Sequence, residues 1–237
     1  MYARNLLAMK SSKRACLAEV LGTFGMVFLG TGAMVLDLPH GLIALTFGGA
    51  VCAMICVFGR ASGAHINPAV TLSLWLAGRV EKSIVVPYVV SQCAGALMAS
   101  GLLALIANRS SALGATVPRG SWVEAFTVEL LLTAVLAFVI LSVTLRQRMP
   151  LVAVAVVVGS TVGMASYFFG PVSGASMNPA RSLGPAVFSD QMRCLWIYFV
   201  ACCLGGLLAI PTCRMVHESG CCRPARGGPA VHPPRSG

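Results

Sequence analysis

SGAHINPA, at residues 62–69, recurs as SGASMNPAR at residues 173–181. Asn67 and Asn178 are residues that favour the N-cap position of a helix, and proline is favoured at the first helical position, where its missing N–H costs nothing. Each copy of the motif therefore predicts the start of a short helix. Both copies lie inside a chain that otherwise consists of long apolar runs.

The composition is that of an integral membrane protein. Of the 237 residues, 57% are hydrophobic and only 10% are charged, and the mean hydropathy is +0.84. Long apolar runs with few charges predict about six transmembrane helices of ~20 residues each. We place them at about 15–36, 41–59, 84–107, 122–145, 150–169 and 192–213. The stretches that contain the motif, 60–83 and 170–191, are too apolar for ordinary water-exposed loops.

The basic residues predict the orientation in the membrane. A net charge of +10 would also fit a nucleic-acid-binding protein, but the Lys and Arg residues lie between the apolar runs, where a topology signal explains them better. They are concentrated in the N-terminal segment, in alternate connections and in the C-terminal tail. We therefore predict that both termini are cytoplasmic, that no nucleic acid is bound, and that the tail from 215 to 237 is disordered.

The motif belongs to a longer internal repeat. Asn67 and Asn178 lie 111 positions apart, and Glu19 and Glu129 lie 110 apart. Residues 15–107 and 122–213 are therefore interpreted as two versions of one unit, each with three spans and a motif loop. Because three is odd, the second unit must enter the membrane from the opposite side, as in an inverted repeat. We predict one all-α channel domain, 1–214, with six transmembrane helices and two re-entrant half-helices.

Inverted units bring the two motif loops together in the middle of the membrane. A helix of 11–12 residues after each motif is about 17 Å long, half of a hydrocarbon core of about 30 Å. Two such helices meeting at their N-termini concentrate partial positive charge, which opposes cations and protons. Asn67 and Asn178 can cap their own helices and donate N–H to a passing water. Arg181 adds a permanent positive charge.

The chain resembles the aquaporins of the major intrinsic protein family over about residues 10–214. The resemblance is carried by SGAHINPAVT at 62–71 and NPARSLGPA at 178–186. One Asn-Pro-Ala motif is a weak signal, whereas two in inverted halves with a trailing arginine are specific. The resemblance implies a cell-membrane homotetramer in the lipid bilayer with one pore per protomer. It places the pore motifs at Asn67, Pro68, Ala69, Asn178, Pro179 and Ala180. We expect no enzymatic activity, no cofactor and no metal.

The resemblance also implies an outer constriction formed by Phe47, Ser166, Ala175 and Arg181. Phe47 and Arg181 match the water-selective relatives, but Ser166 replaces the histidine usual in them and leaves a wider gap. Glycerol facilitators fit no better, since they typically have Trp in place of Phe47 and Asp directly after the arginine. We therefore expect water as the main substrate. The alternatives are a channel for small neutral solutes such as glycerol, urea or undissociated metalloid acids, and, remotely, a secondary transporter.

Three further polar residues lie in apolar surroundings. Glu19 and Glu129 are lone carboxylates inside spans, which by default suggests a proton or ion relay. Their symmetric placement favours another interpretation, in which each accepts hydrogen bonds from the backbone of the motif loop in its own half. His65, next to the first asparagine, is either a gate or pH sensor or an anchor of the loop at the inner vestibule.

Overall fold

Residues 12–107, 112–145 and 149–217 are described in the computed structural model of the chain. Its helices are α1 (Lys13–Val35), α2 (His40–Ser62), α3 (Pro68–Leu76), α4 (Val85–Ile106), α5 (Trp122–Leu145), α6 (Leu151–Ser173), α7 (Pro179–Phe188) and α8 (Leu195–His217). Short 3-10 turns at Lys82–Ile84 and Met192–Cys194 precede α4 and α8. Six of these elements are long and apolar enough to cross a membrane. The other two, α3 and α7, directly follow the motifs.

Helices α2 and α6 are longer than the predicted spans 41–59 and 150–169. They run to Ser62 and Ser173 and end where Gly63 and Gly174 adopt left-handed backbone, with φ of 83° and 89°. Glycine at this position is a common helix end because it has no Cβ to clash. The predicted end of α6 at 169 was wrong because the helix continues through Pro171. The predicted disordered tail from 215 to 237 was wrong for residues 215–217, because α8 extends to His217. Residues 218–237 of that prediction lie outside the described residues.

Each half is held together by close contact between its first and third long helices. Gly95 of α4 lies against the carbonyl oxygen of Val20 in α1, and Gly205 of α8 lies against that of Leu130 in α5. A Cβ at either glycine would collide with the backbone of its neighbour. Small residues of this kind let transmembrane helices approach closely. The two contacts occupy equivalent places in the two units.

The two halves interlock through their short helices and through α2 and α6. Helix α3 packs mainly against α8, and α7 mainly against α4, so each short helix is buried by the opposite half. Gly206 of α8 lies against Ser73 of α3, and Gly184 of α7 lies against the Ala96 carbonyl of α4. This exchange places the N-termini of α3 and α7 at the centre of the bundle.

The outer surface of the helix bundle is apolar. Large hydrophobic side chains such as Leu105, Val86 and Leu45 are 84%, 70% and 69% exposed. Such a surface is unfavourable in water but suits contact with lipid chains. The buried polar residues are instead concentrated at the two motif loops, among them Glu19 and Glu129, which are both fully buried.

Candidate functional site

A narrow cavity of about 60 Å³ lies between the two motif loops. Such a volume holds a few water molecules, since one requires about 10–15 Å³. Both loops contribute to the wall, through residues 63–67 and 175–178. Most of the remainder is lined by apolar side chains of α1, α2, α3, α5 and α6, together with Thr144 and Arg181. The cavity therefore has a line of polar groups along a wall that is otherwise hydrophobic.

The two asparagines cap the short helices as their sequence predicts. Asn67 Oδ1 accepts a hydrogen bond from the Ala69 N–H at 2.9 Å. Asn178 Oδ1 accepts from the N–H groups of Ala180 and Arg181 at 3.0 and 3.3 Å. In both helices proline occupies the first turn, directly after the cap. Each amide oxygen is thus committed to its own helix, which leaves the amide nitrogens for other partners.

Each asparagine amide also joins its loop to the loop of the other half. Asn67 Nδ2 donates to the Met177 carbonyl at 2.7 Å, and Asn178 Nδ2 donates to the Ile66 carbonyl at 2.8 Å. An amide nitrogen carries two hydrogens, so the second N–H of Asn67 remains for the cavity that both side chains line. Asn178 Nδ2 also lies 3.8 Å from the sulfur of Met26, a weak acceptor that lines the same cavity. Sequence reasoning missed this reciprocal pair of bonds, which defines the seam between the halves.

Both motif loops have the same strained backbone. Residues Ala64 and Ile66 have φ of 45° and 43°, and Ala175 and Met177 have φ of 42° and 53°. Left-handed backbone costs an L-residue with a Cβ roughly 1–2 kcal/mol. In each loop, a residue with positive φ is followed by one without and then by another with positive φ. This backbone lets two adjacent N–H groups point to the same side of the loop. The N–H groups can then be collected by one acceptor behind the loop.

Glu19 is that acceptor in the first half. Its Oε1 accepts from Ser62 Oγ at 2.6 Å and from the His65 N–H at 2.9 Å. Its Oε2 accepts from the Ile66 N–H and from Gln92 Nε2, both at 2.7 Å. Because all four contacts use the carboxylate as an acceptor, it stabilises the loop and is fully occupied.

Glu129 has the same arrangement in the second half. Its Oε1 accepts from Ser173 Oγ and from the Ser176 N–H, and its Oε2 accepts from the Met177 N–H, each at 2.8 Å. The Cys202 thiol lies 3.7 Å from Oε2, at the place that Gln92 occupies in the first half. The two carboxylates therefore hold the two loops in the same way, with one weaker donor behind the second loop.

Two further pairs of residues support the loops, and sequence reasoning did not assign them a role. The hydroxyl groups of Tyr88 and Tyr198 donate to the carbonyl groups of Ser62 and Ser173 at 3.0 and 2.7 Å. Each tyrosine thereby satisfies the last carbonyl of a long helix just before the loop begins. The second pair repeats the first: Ser62 and Ser173 are 111 positions apart, like the asparagines, and Tyr88 and Tyr198 are 110 apart, like the glutamates. This repetition is the signal that identifies them.

His65 lies between the first loop and the cavity. Its Nδ1 is 3.1 Å from Thr71 Oγ1, and its ring packs edge-on against Tyr88 with centroids 5.1 Å apart. Thr71 also receives a hydrogen bond from Gln92 Nε2 at 3.0 Å. The imidazole is thus tied to the polar cluster behind the loop while it lines the cavity.

Among the described residues, three uncharged groups contact the Arg181 guanidinium. Its Nη1 donates to the Gly114 carbonyl at 2.7 Å, and its Nη2 lies 3.4 Å from Met34 Sδ. The guanidinium carbon is 4.9 Å from the centroid of the Phe47 ring, a favourable cation–π distance. With 2% of its surface exposed, the side chain is fixed in place, and none of these contacts neutralises its charge.

Three of the four predicted constriction residues line the cavity together. Phe47, Ala175 and Arg181 all contribute to its wall. Ser166 is buried but lies outside the lining, and Val162 of the same helix takes part instead. Because Val162 and Ser166 are four residues apart on α6, they share one helix face, and Ser166 continues the row of lining residues by one turn.

A chain of hydroxyl groups secures the second loop. Thr116 Oγ1 donates to Ser182 Oγ at 2.7 Å, and Ser182 Oγ is 2.6 Å from Ser176 Oγ. Ser176 Oγ in turn donates to the Asn178 carbonyl at 2.9 Å. The connection before α5, which also provides the Gly114 carbonyl to Arg181, is therefore part of the site. Its role was not evident from the sequence.

Similarity to known proteins agrees with this geometry. The family described as Major intrinsic protein matches residues 7–211. "Aquaporin NIP1-4" of Oryza sativa subsp. japonica is 40% identical over 190 residues, covering 78% of this chain and 70% of that protein. "Nodulin-26" of Glycine max is 35% identical over 197 residues, covering 80% and 73%. The X-ray structure of the aquaglyceroporin from Plasmodium falciparum matches with a TM-score of 0.78 at 26% identity, covering 88% of this chain and 96% of that one, which confirms the predicted fold class. The chain belongs to the major intrinsic protein family, the aquaporins.

Proposed function

We propose that this protein is a passive membrane channel for small uncharged solutes as well as water, and that it excludes ions and protons. The observation that carries the proposal is the cavity bounded by both Asn-Pro-Ala loops and by Phe47, Ala175 and Arg181. A file of hydrogen-bonding groups along an apolar wall suits neutral molecules that can exchange hydrogen bonds as they move. Because most of the wall is apolar, it offers few groups that could bind a solute strongly and so slow its passage.

The solute range proposed here is broader than the sequence alone favours. The sequence predicts water as the main substrate on the basis of Phe47 and Arg181. A relative of known structure is, however, described as an aquaglyceroporin, and a methyl group at Ala175 leaves space beside Arg181. We therefore give more weight to the small-solute alternative, with glycerol and urea as the solutes to test and metalloid acids as further members of the class.

Exclusion of charge follows from two features of the site. The N-termini of α3 and α7 both begin at the cavity, and helix N-termini carry partial positive charge. Arg181 adds a full positive charge, and the groups in direct contact with its guanidinium are uncharged. A cation entering the cavity would lose hydration without gaining an anionic partner. Glu19 and Glu129 offer none, because their oxygens are occupied by the loops.

The same occupancy argues against a coupled transporter. Such a protein would need a site near the midplane that binds a driving ion or proton. In the described part of the chain, the groups where the two loops meet are the amides of Asn67 and Asn178 and the backbone carbonyls of Ile66 and Met177, and the two carboxylates act as structural acceptors. We also propose that residues 1–214 form one channel domain, that both termini are cytoplasmic, and that four copies assemble in the cell membrane with one pore each.

Stopped-flow light scattering of proteoliposomes tests the solute range. We expect rapid shrinkage in a sucrose gradient and, in glycerol or urea gradients, shrinkage followed by re-swelling faster than in empty liposomes.

Ala175→Phe should lower glycerol permeability by about tenfold or more and water permeability much less, because the larger side chain narrows the cavity beside Arg181. Ala175→Ser, a substitution of similar size, is the matched control and should change neither the glycerol permeability nor the water permeability. Equal loss of water and glycerol flux in Ala175→Phe would contradict the role of this residue.

A further inference from the structure

Pro171 interrupts the hydrogen bonding of helix α6 close to the constriction. Residue i of an α-helix donates its N–H to the carbonyl of residue i−4, and proline has no N–H to donate. Pro171 therefore deprives the carbonyl of Tyr167 of its helical partner, although α6 continues unbroken to Ser173. In a helix that continues past an internal proline, that carbonyl is left for a donor outside the helix, either another residue or water.

The missing donor is His40, the first residue of α2. Its Nε2 lies 2.7 Å from the Tyr167 carbonyl oxygen, and because a carbonyl can only accept, Nε2 carries the hydrogen. The imidazole also stacks on the Tyr167 ring with centroids 5.5 Å apart and an interplanar angle of 26°. Gly170 leaves room for it, since a Cβ there would be 3.2 Å from His40 Cε1.

We propose that His40 is a positioning residue for solute selectivity, which replaces the hydrogen bond that Pro171 removes and so fixes the outer end of α6. Ser166 directly precedes the residue whose carbonyl His40 binds. The second motif loop begins at Gly174, immediately after α6 ends. The segment from Tyr167 to Ser173 therefore joins Ser166, directly before it, to the loop that contains Ala175, and a shift of this segment would change the positions of both residues relative to Arg181. The inference rests on the proposed channel function, because it assigns His40 to the same constriction.

Four variants separate the hydrogen bond from the ring contact. His40→Phe keeps an aromatic ring against Tyr167 but has no donor. His40→Gln supplies an amide N–H at a similar reach without the ring. Pro171→Ala restores the backbone N–H that the Tyr167 carbonyl lacks, which should make His40 dispensable. The double variant His40→Phe with Pro171→Ala completes the cycle.

The measurement is the ratio of glycerol to water permeability in proteoliposomes, normalised to folded protein. We expect His40→Phe to change this ratio by about threefold, the size appropriate to one hydrogen bond of ordinary net strength. His40→Gln should stay close to wild type. In the Pro171→Ala background, His40→Phe should have little further effect. An unchanged ratio in His40→Phe, or the same change in both backgrounds, would overturn the proposal.

A folding defect would also be informative. If His40→Phe yields no folded protein, recovery of folded protein in the double variant supports the proposal, and failure to recover overturns it. The thermal unfolding midpoints of wild type, His40→Phe, Pro171→Ala and the double variant test this inference separately from the channel function. A wild-type protein that conducts neither water nor glycerol refutes the proposed function. The coupling between His40 and Pro171 in the midpoints would still decide whether the contact stabilises α6.

Discussion

Glu129→Gln is the substitution whose consequence follows most directly from the geometry. The carboxylate accepts the N–H of Ser176 on one oxygen and the N–H of Met177 on the other, each at 2.8 Å. In glutamine, one of these oxygens becomes an NH₂ group, which only donates. Whichever way the amide is oriented, a backbone N–H of the second motif loop then faces another donor.

The cost can be estimated from these contacts. A buried donor that loses its acceptor destabilises a protein by about 1–3 kcal/mol. The Ser173 hydroxyl can rotate to another partner, but a backbone N–H cannot. Loss of the charge also weakens the remaining hydrogen bonds, since bonds to an ionised acceptor are about twice as strong as neutral ones. We expect Glu129→Gln to lower the free energy of unfolding by roughly 2–3 kcal/mol.

Glu124→Gln provides the matched control, because Glu124 lies on the same helix but is exposed. Thermal unfolding of both variants in detergent, followed by size-exclusion chromatography, measures the difference. Glu129→Gln should aggregate at a distinctly lower temperature, while Glu124→Gln should match wild type. The ratio of glycerol to water permeability of the folded Glu129→Gln fraction should stay within about twofold of wild type, since the carboxylate lies behind the loop. If the two variants unfold at the same temperature, the supporting role assigned to Glu129 is refuted.

The remaining predictions concern helix packing and charge. Gly48→Ala should destabilise the protein by about 1–3 kcal/mol, because a Cβ there would lie 2.6 Å from the Gly159 carbonyl oxygen. The adjacent Gly49→Ala should be neutral or stabilising, since no atom lies within 4 Å of its Cβ position; equal unfolding temperatures for the two would contradict the packing argument. Arg181→Val should raise glycerol permeability and allow measurable proton flux, because it removes the positive charge and leaves the Gly114 carbonyl without this donor. Proton flux measured with a pH-sensitive dye trapped in the vesicles checks this, and an unchanged, proton-tight vesicle would show that the charge at Arg181 is not needed for exclusion.

The fold could be predicted from the sequence because its signals are strong and repeated. Apolar runs of membrane-spanning length identify the six spans, and the second copy of the motif reveals the inversion. The ends of the helices were less predictable. Pro171 is locally typical of a helix end, yet α6 continues to Ser173, and Nε2 of His40, a residue distant in sequence, lies 2.7 Å from the carbonyl that the proline leaves without its helical partner. Such tertiary compensation has no local signal.

The site was predictable in its residue types and less so in its connections. The spacing of the motifs identifies Asn67 and Asn178 as helix caps, and the symmetric carboxylates suggest loop acceptors. The bonds that join Asn67 to Met177, and Asn178 to Ile66, depend on the relative placement of two chain segments far apart in sequence. Contacts of this kind require the three-dimensional arrangement. The same holds for the Gly114 carbonyl that binds the arginine.

The light-scattering trace of wild-type proteoliposomes after a glycerol gradient tests the central claim most directly. If the seam between the two motifs is a pore for small neutral solutes, the vesicles shrink as water leaves and then re-swell as glycerol enters, faster than protein-free vesicles and without ionic current. A trace that shrinks and stays at its plateau, as in a sucrose gradient of the same osmolarity, would contradict the claim and restore water as the substrate.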